Sequence, residues 1–265
     1  MSNDHPIGLF DSGVGGTSIW KEIVKLLPGE HTVYLADSLN APYGEKSKTE
    51  IIALCEKNTE WLLNKNCKLI VVACNTATTN AIDHLRAKYK VSFIGIEPAI
   101  KPAALQSRTK IIGVLATKGT LTSALFHRTA NLFAPNIEVI EVIGTGLVEF
   151  IEQGNINGPE LKAYLLKLLS PLLGRGIDHL VLGCSHYPYL LPILKELLPA
   201  NVEIIDSGFA VARQTENVLA QSQLLNTGAS IARHLLLTNK KEVCNVLANL
   251  LDPISGNTQI THTKF

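Results

Sequence analysis

The chain has 265 residues, of which 46% are apolar and 18% charged, and a formal net charge of +1. That composition excludes a largely disordered chain, and at about 150 residues per domain the length fits one or two domains with a core that needs no disulfide staples. A near-zero charge excludes a strongly basic nucleic-acid binder and gives no electrostatic case for an anionic membrane.

The opening MSNDHPIGLF has neither a basic segment nor a long apolar run, so no secretory signal is expected. Short apolar runs then alternate with longer helical patterns. Strands are expected over residues 7–10, 32–36, 69–73, 91–96, 111–115, 137–142, 179–182 and 202–205, all short and rich in Val, Ile and Leu. None approaches the roughly 20 apolar residues that span a bilayer. Helices are expected over 18–27, stopped by Pro28-Gly29, and over 49–64, 76–89 and 159–173, the last opened by Pro159 and closed near Gly174. This alternation predicts an α/β fold with mainly parallel sheets covered on both faces. The polar end, 255–265, reads as loose.

The chain also resembles itself. Ile7-Gly8-Leu9-Phe10 matches Ile112-Gly113-Val114-Leu115 at an offset of 105, and Val71-Val72-Ala73-Cys74 matches Val181-Leu182-Gly183-Cys184 at an offset of 110. Two pairs in the same order predict two pseudo-symmetric α/β domains. The crossings are expected at Glu97-Pro98 and Asp206-Ser207-Gly208. The first domain is then 1–97 plus 208–265 and carries Cys74; the second is 98–207 and carries Cys184. A ligand would sit in the cleft between them, at the carboxyl ends of the strands.

Five cysteines at wide spacing are no disulfide framework, and no Cys-x-x-Cys suggests zinc. Cys55, Cys67 and Cys244 are expected to be small buried residues. Cys74 and Cys184 each close a strand just before an expected helix start, where N–H groups attract a thiolate. Hydrogen-bonding residues follow both: Asn75 and Thr76 after one, Ser185 and His186 after the other. A lone histidine is usually structural, but beside a strand-end cysteine a catalytic role for His186 is favoured. FDSGVGG, at 10–16, is either a tight turn that exploits the positive φ open to glycine or a cradle of N–H groups for an anion; Asp11 is its unusual member. Two thiols on opposite faces of one bound molecule suit inversion of a carbon acid, one removing the α-proton and the other returning one. Asp11 and His186 are the candidates to ionise them.

With these motifs in hand, the sequence resembles the cofactor-independent aspartate/glutamate racemase family, and within it the glutamate racemases. The resemblance runs from Ile7 to about Leu251. It rests on FDSGVGG, on Ala36-Asp37-Ser38 through Pro42-Tyr43-Gly44, on ACNTAT, on Gly95-Ile96-Glu97-Pro98-Ala99, on Gly113-Val114-Leu115-Ala116-Thr117 and on GCSHYP. Aspartate racemases place an acid where this chain has His186.

The resemblance implies a cytoplasmic isomerase that interconverts L- and D-glutamate and supplies D-glutamate for peptidoglycan precursors. It implies no cofactor, neither pyridoxal phosphate nor metal, and neither nucleic acid nor membrane as partner; a homodimer is compatible with it. Cys74 and Cys184 would be the two bases, assisted by Asp11 and His186 respectively. Glu152 would be a further acid near the second thiol, though read alone it is equally a solvated helix residue. Substrate would be bound by Asp11, Ser12, Tyr43, Gly44, Asn75, Thr76, Ser185 and His186, with Thr117 and Thr120 as additional candidates. Ser185 stands where threonine is commoner and keeps the hydroxyl. Only seven residues precede Gly8, so activation through the N-terminal extension of some members is not expected. A non-catalytic carboxylate-binding protein would explain the glycine loop and the hydroxyls but not two strand-end cysteines, and a thiol hydrolase would leave one cysteine idle.

Overall fold

The computed structural model describes residues 3–228, 231–251 and 257–265. Ten strands are described: β1 (Ile7–Asp11), β2 (Thr32–Ala36), β3 (Leu69–Val72), β4 (Ser92–Gly95), β5 (Ile111–Ala116), β6 (Glu138–Ile143), β7 (His179–Gly183), β8 (Glu203–Ile205), β9 (His234–Thr238) and β10 (Thr258–His262). The helices between them are α1 (Thr17–Leu26), α2 (Lys48–Leu63), α3 (Asn75–Lys88), α4 (Ile100–Gln106), α5 (Lys118–Leu121), α6 (Ala124–Phe133), α7 (Leu147–Glu152), α8 (Pro159–Gly174), α9 (Leu191–Leu197), α10 (Gly208–Gln221) and α11 (Val243–Leu251). The eight expected strands and four expected helices all form, with no end shifted by more than one residue.

The strands make two sheets, ordered β10-β9-β2-β1-β3-β4 and β6-β5-β7-β8. Every strand pairing described is parallel. β2-β1-β3-β4 and β6-β5-β7-β8 follow the same path, second-first-third-fourth, which is the repeat seen in the sequence. The matched glycines agree in detail. Gly8 sits in β1 between Val33 and Ile70, and Gly113 sits in β5 between Ile140 and Leu180. Each is small because a side chain crosses it: a Cβ would fall 2.9 Å from Cys67 Sγ at Gly8 and 3.1 Å from Ile177 Cδ1 at Gly113.

Such buried parallel strands need apolar cover on both faces. One cluster runs along one face of both sheets and includes Leu9, Val71, Leu115 and Leu182. The opposite faces are covered separately, around Phe10 and Val72 in one sheet and Val114 and Val181 in the other. At the expected crossings, Ser207 Oγ donates to the Glu97 carbonyl at 2.6 Å, tying the two connections together.

Two expectations fail. The end of the chain is not loose throughout: residues 258–262 form β10, parallel to β9 at the edge of the larger sheet, while Ser255 and Gly256 lie outside the described residues. Cys55 and Cys67 are buried, but Cys244, on α11, is only half-buried. Among the described residues, β9 and β10 have no counterpart in the smaller sheet.

Candidate active site

The candidate residues gather where strands end. Asp11 closes β1 and Ser12 follows it, Cys74 follows β3, Thr117 follows β5 and Cys184 follows β7. All but Asp11 line a nearly closed cavity of about 10 Å³. From the larger sheet it is lined by Ser12, Tyr43, Gly44, Cys74, Asn75 and Thr76; from the smaller, by Thr117, Cys184, Ser185 and His186. Pro42 and Val148 complete the wall, apolar residues that carry no chemical signal in the sequence. A wider groove sharing Pro42, Gly44, Thr117 and Val148 leads from the cavity toward solvent. Of the expected residues, Asp11, Glu152 and Thr120 are not among the lining residues. Thr120 is fully buried behind the wall, with its Oγ1 3.3 Å from Thr76 Oγ1 and 3.1 Å from Thr117 Oγ1.

The two cysteines have different surroundings. Cys74 is the N-cap of α3, and its sulfur accepts the Ala77 N–H at 3.4 Å and lies 3.8 Å from Ser12 Oγ. Burial pushes its thiol well above the ordinary cysteine range, the nearby Asp11 charge raises it further, and the Ala77 N–H opposes both. Cys184 is not followed directly by an α-helix. A 3₁₀ turn at Tyr187–Leu190 intervenes before α9, and the sulfur instead lies 3.8 Å from His186 Nδ1.

His186 is the centre of the second half. Its Nε2 is 2.7 Å from Glu152 Oε1, and its Nδ1 is 4.0 Å from Asp11 Oδ2. Burial alone would push the imidazole down, yet hydrogen bonds to Cys184 and Glu152 and the charge of Asp11 hold it well above the usual histidine range. These contacts therefore favour the protonated ring, whose Nδ1 side faces the Cys184 sulfur. Glu152 is no solvated helix residue: its carboxylate also accepts the Val14 N–H at 2.5 Å and Ser38 Oγ at 2.8 Å.

The glycine loop does cradle anions, but they are the protein's own carboxylates. Gly16 and Gly13 donate their N–H groups to Asp11 Oδ2 at 2.8 and 3.3 Å, and Val14 donates to Glu152. Positive φ is not why these residues are glycine; none of the three in the loop has it. Clearance is the reason: a Cβ on Gly13 would fall 1.9 Å from Glu152 Oε1, and one on Gly15 2.2 Å from His186 Nδ1. Asp11 itself is pushed up by burial, opposed first by the charge of His186 and then by the Gly16 N–H. Its Oδ1 accepts Ser185 Oγ at 3.2 Å, so it supports both halves of the cavity.

The segment after β2 is held by a network that sequence reasoning did not identify. Asp37 receives Tyr43 Oη at 2.5 Å on one oxygen, and Asn239 and Asn40 on the other. Asn239 follows β9, so the added strand reaches the wall of the site. Among the described residues no group of three or more His, Cys, Asp or Glu is placed to hold a metal ion.

The cavity thus takes one thiol from each of two equivalently wound sheets. The family model described as Asp/Glu/Hydantoin racemase matches residues 7–215. The glutamate racemase of Herpetosiphon aurantiacus is 45% identical over 227 residues, covering 86% of this chain and 89% of its own. A glutamate racemase isoform from Bacillus anthracis superposes with a TM-score of 0.87 at 27% identity, covering 98% of both chains. The Escherichia coli glutamate racemase, solved with L-glutamate and the activator UDP-MurNAc-ala, gives 0.86 at 32% identity, covering 97% of this chain and 98% of its own. By sequence over most of its length and by fold over nearly all of it, the chain belongs to the Asp/Glu/hydantoin racemase family.

Proposed function

We propose that this protein is a glutamate racemase that interconverts L- and D-glutamate with two cysteines and no bound cofactor. The observation that carries the reading is the pair Cys74 and Cys184, at matched strand ends, lining one cavity from opposite sheets. The many glutamate racemases similar in sequence support glutamate as the substrate.

In the L-to-D direction Cys184, as thiolate beside the His186 imidazolium, takes the α-proton. The electron pair stays on the α-carbon, and the Cys74 thiol delivers its proton to the other face. The next turnover needs the opposite charge state or proton exchange with solvent. The reverse direction exchanges the roles. Cys74, held as a thiol by burial, is suited to start as the acid. Asp11 and Glu152 balance the imidazolium. Ser12, Asn75, Thr76, Thr117 and Ser185, with the Tyr43-Gly44 backbone, supply hydrogen-bond donors for the two carboxylates, and Thr120 steadies Thr76 and Thr117 from behind.

The site lies between two domains, 1–97 plus 208–265 and 98–207. That division is supported by the separate sheets and by the Ser207–Glu97 contact at the crossings. The reading places the protein in the cytoplasm, supplying D-glutamate for peptidoglycan precursors; among the described residues no helix is long and apolar enough to cross a membrane. The test is circular dichroism of L-glutamate incubated with dialysed protein and no added cofactor. Decay of the signal to zero is expected, and a constant signal would instead favour a carboxylate-binding protein.

A further inference from the structure

Substrate must pass between residues that the structure closes together. Cys74 and Cys184 are only 5% and 6% exposed, and several contacts join the two sheets' elements across the cavity. Thr76 Oγ1 lies 2.8 Å from Thr117 Oγ1, and Asn80 Nδ2 donates to the Gly119 carbonyl at 3.0 Å. Ser18 Oγ donates to the Ser185 carbonyl at 2.8 Å.

A further set of cross-contacts ends on the carboxylate of Glu152. Glu152 closes α7, on the smaller sheet, and its carboxylate is 10% exposed. Three donors surround it. His186 comes from its own side; the Val14 N–H and Ser38 Oγ come from the loops after β1 and β2, on the larger sheet. Gly13 leaves the space that the carboxylate occupies, since any Cβ there would overlap it. A buried carboxylate without its donors is costly and turns toward water. Parting the two sheets removes Val14 and Ser38 from Glu152 but leaves His186 on the same side. The alignment of Glu152 with His186, and of His186 with the Cys184 sulfur, is then completed only when the cleft shuts.

We propose that Ser38 is a positioning residue for proton transfer at Cys184: through Glu152 it fixes His186 against the sulfur, and it does so only in the closed cleft. The chemistry is thereby delayed until substrate is enclosed, which keeps water from a forming carbanion. Ser38 has no such path to Cys74, whose sulfur contacts Ser12 and Ala77 on its own side and whose neighbour Asp11 takes its cross-sheet hydrogen bond from Ser185 instead. The effect of Ser38 is therefore one-sided. This inference rests on the reading of the site as a two-thiol glutamate racemase.

The test separates the two half-reactions. A glutamate analogue with chlorine on the β-carbon loses its α-proton to one thiol and then expels chloride, so the L-analogue reports Cys184 and the D-analogue reports Cys74. Ser38→Ala is expected to slow elimination from the L-analogue about tenfold, the scale of one hydrogen bond to a charged group, and to change the D-analogue by less than about twofold. Ser38→Thr, which keeps the hydroxyl, restores the L-rate, and Glu152→Gln reproduces the one-sided loss. Racemisation kcat/KM falls equally in both directions, because the equilibrium constant of a racemisation is fixed by symmetry. Equal slowing of both eliminations would mark Ser38 as merely structural and overturn the proposal, as would unchanged rates in a folded variant. Failure of the wild type to interconvert L- and D-glutamate would overturn the functional reading itself, a different result from either.

Discussion

Gly15 and His186 meet so closely that a Cβ on the glycine would fall 2.2 Å from the imidazole Nδ1, although 170 residues separate them in the chain. The histidine ring cannot move aside cheaply. It is 1% exposed, with Glu152 on one nitrogen and Cys184 and Asp11 beside the other. Gly15→Ala is therefore expected to displace His186 and lower kcat by at least about a hundredfold, the usual worth of a positioned acid or base. The overpacking should cost about 1–3 kcal/mol of stability, read as a drop in Tm. A folded variant with wild-type kcat would show that His186 does not act where the structure holds it.

That contact also marks the limit of what the sequence makes legible. Strands such as β1, β3 and β7 are short, mostly apolar runs, so local pattern suffices to find them, and the cysteines just past β3 and β7 follow. The glycine spacing of FDSGVGG is visible too, but its cause is not: Glu152 and His186 approach from another sheet, with no local trace in the loop. β10 escaped for a related reason. Its Thr258-Gln259-Ile260-Thr261-His262 is polar because it is an edge strand pairing with β9 alone. Asn239 carries no motif, and its part in the site depends on where β9 docks.

The pH dependence follows from His186. Its folded-state value lies above the unfolded one, so its stabilising contribution is complete below the unfolded value, near about 6.5, and is lost as pH rises through the folded value. Activity that needs the imidazolium falls over the same alkaline range. Glu152→Gln removes the charge paired with Nε2, so the alkaline limb of kcat/KM should move to lower pH. Activity at neutral pH should fall by about 10- to 100-fold. The remaining groups facing the ring, Asp11 and Cys184, are unchanged. A limb that stays in place would assign it to another group.

The Asp37 network predicts a role for a residue outside every motif. Asn239→Ala removes a donor from Asp37, which in turn holds Tyr43 in the cavity wall. The loss of a hydrogen bond to a buried carboxylate should cost about 1–3 kcal/mol. Because the loop forms a binding wall and contributes no proton donor to the α-carbon, the expected signature is a raised KM with kcat changed far less. A fall in kcat at unchanged KM would place the loop in the chemistry instead.

Cys74 and Cys184 allow the sharpest test, because each should control one face of the substrate. In D₂O, product formed early should carry deuterium at the α-carbon while unreacted substrate does not, since the returning proton comes from the thiol that has exchanged with solvent. Cys74→Ser and Cys184→Ser should both abolish racemisation, as a hydroxyl cannot serve as a matched base near neutrality. Both should fold, because the change is nearly isosteric and lies at a cavity wall. Their residual activities should be mirror images. Cys74→Ser retains elimination from the L-form of a β-chloro analogue, and Cys184→Ser retains it from the D-form. Because kcat/KM must be equal in the two directions of racemisation, that reaction cannot reveal the asymmetry and only the irreversible elimination can. A folded Cys184→Ser protein that racemises glutamate at the wild-type rate would rule out the two-thiol mechanism. Retention of elimination from the same enantiomer in both variants would reverse or merge the assigned faces.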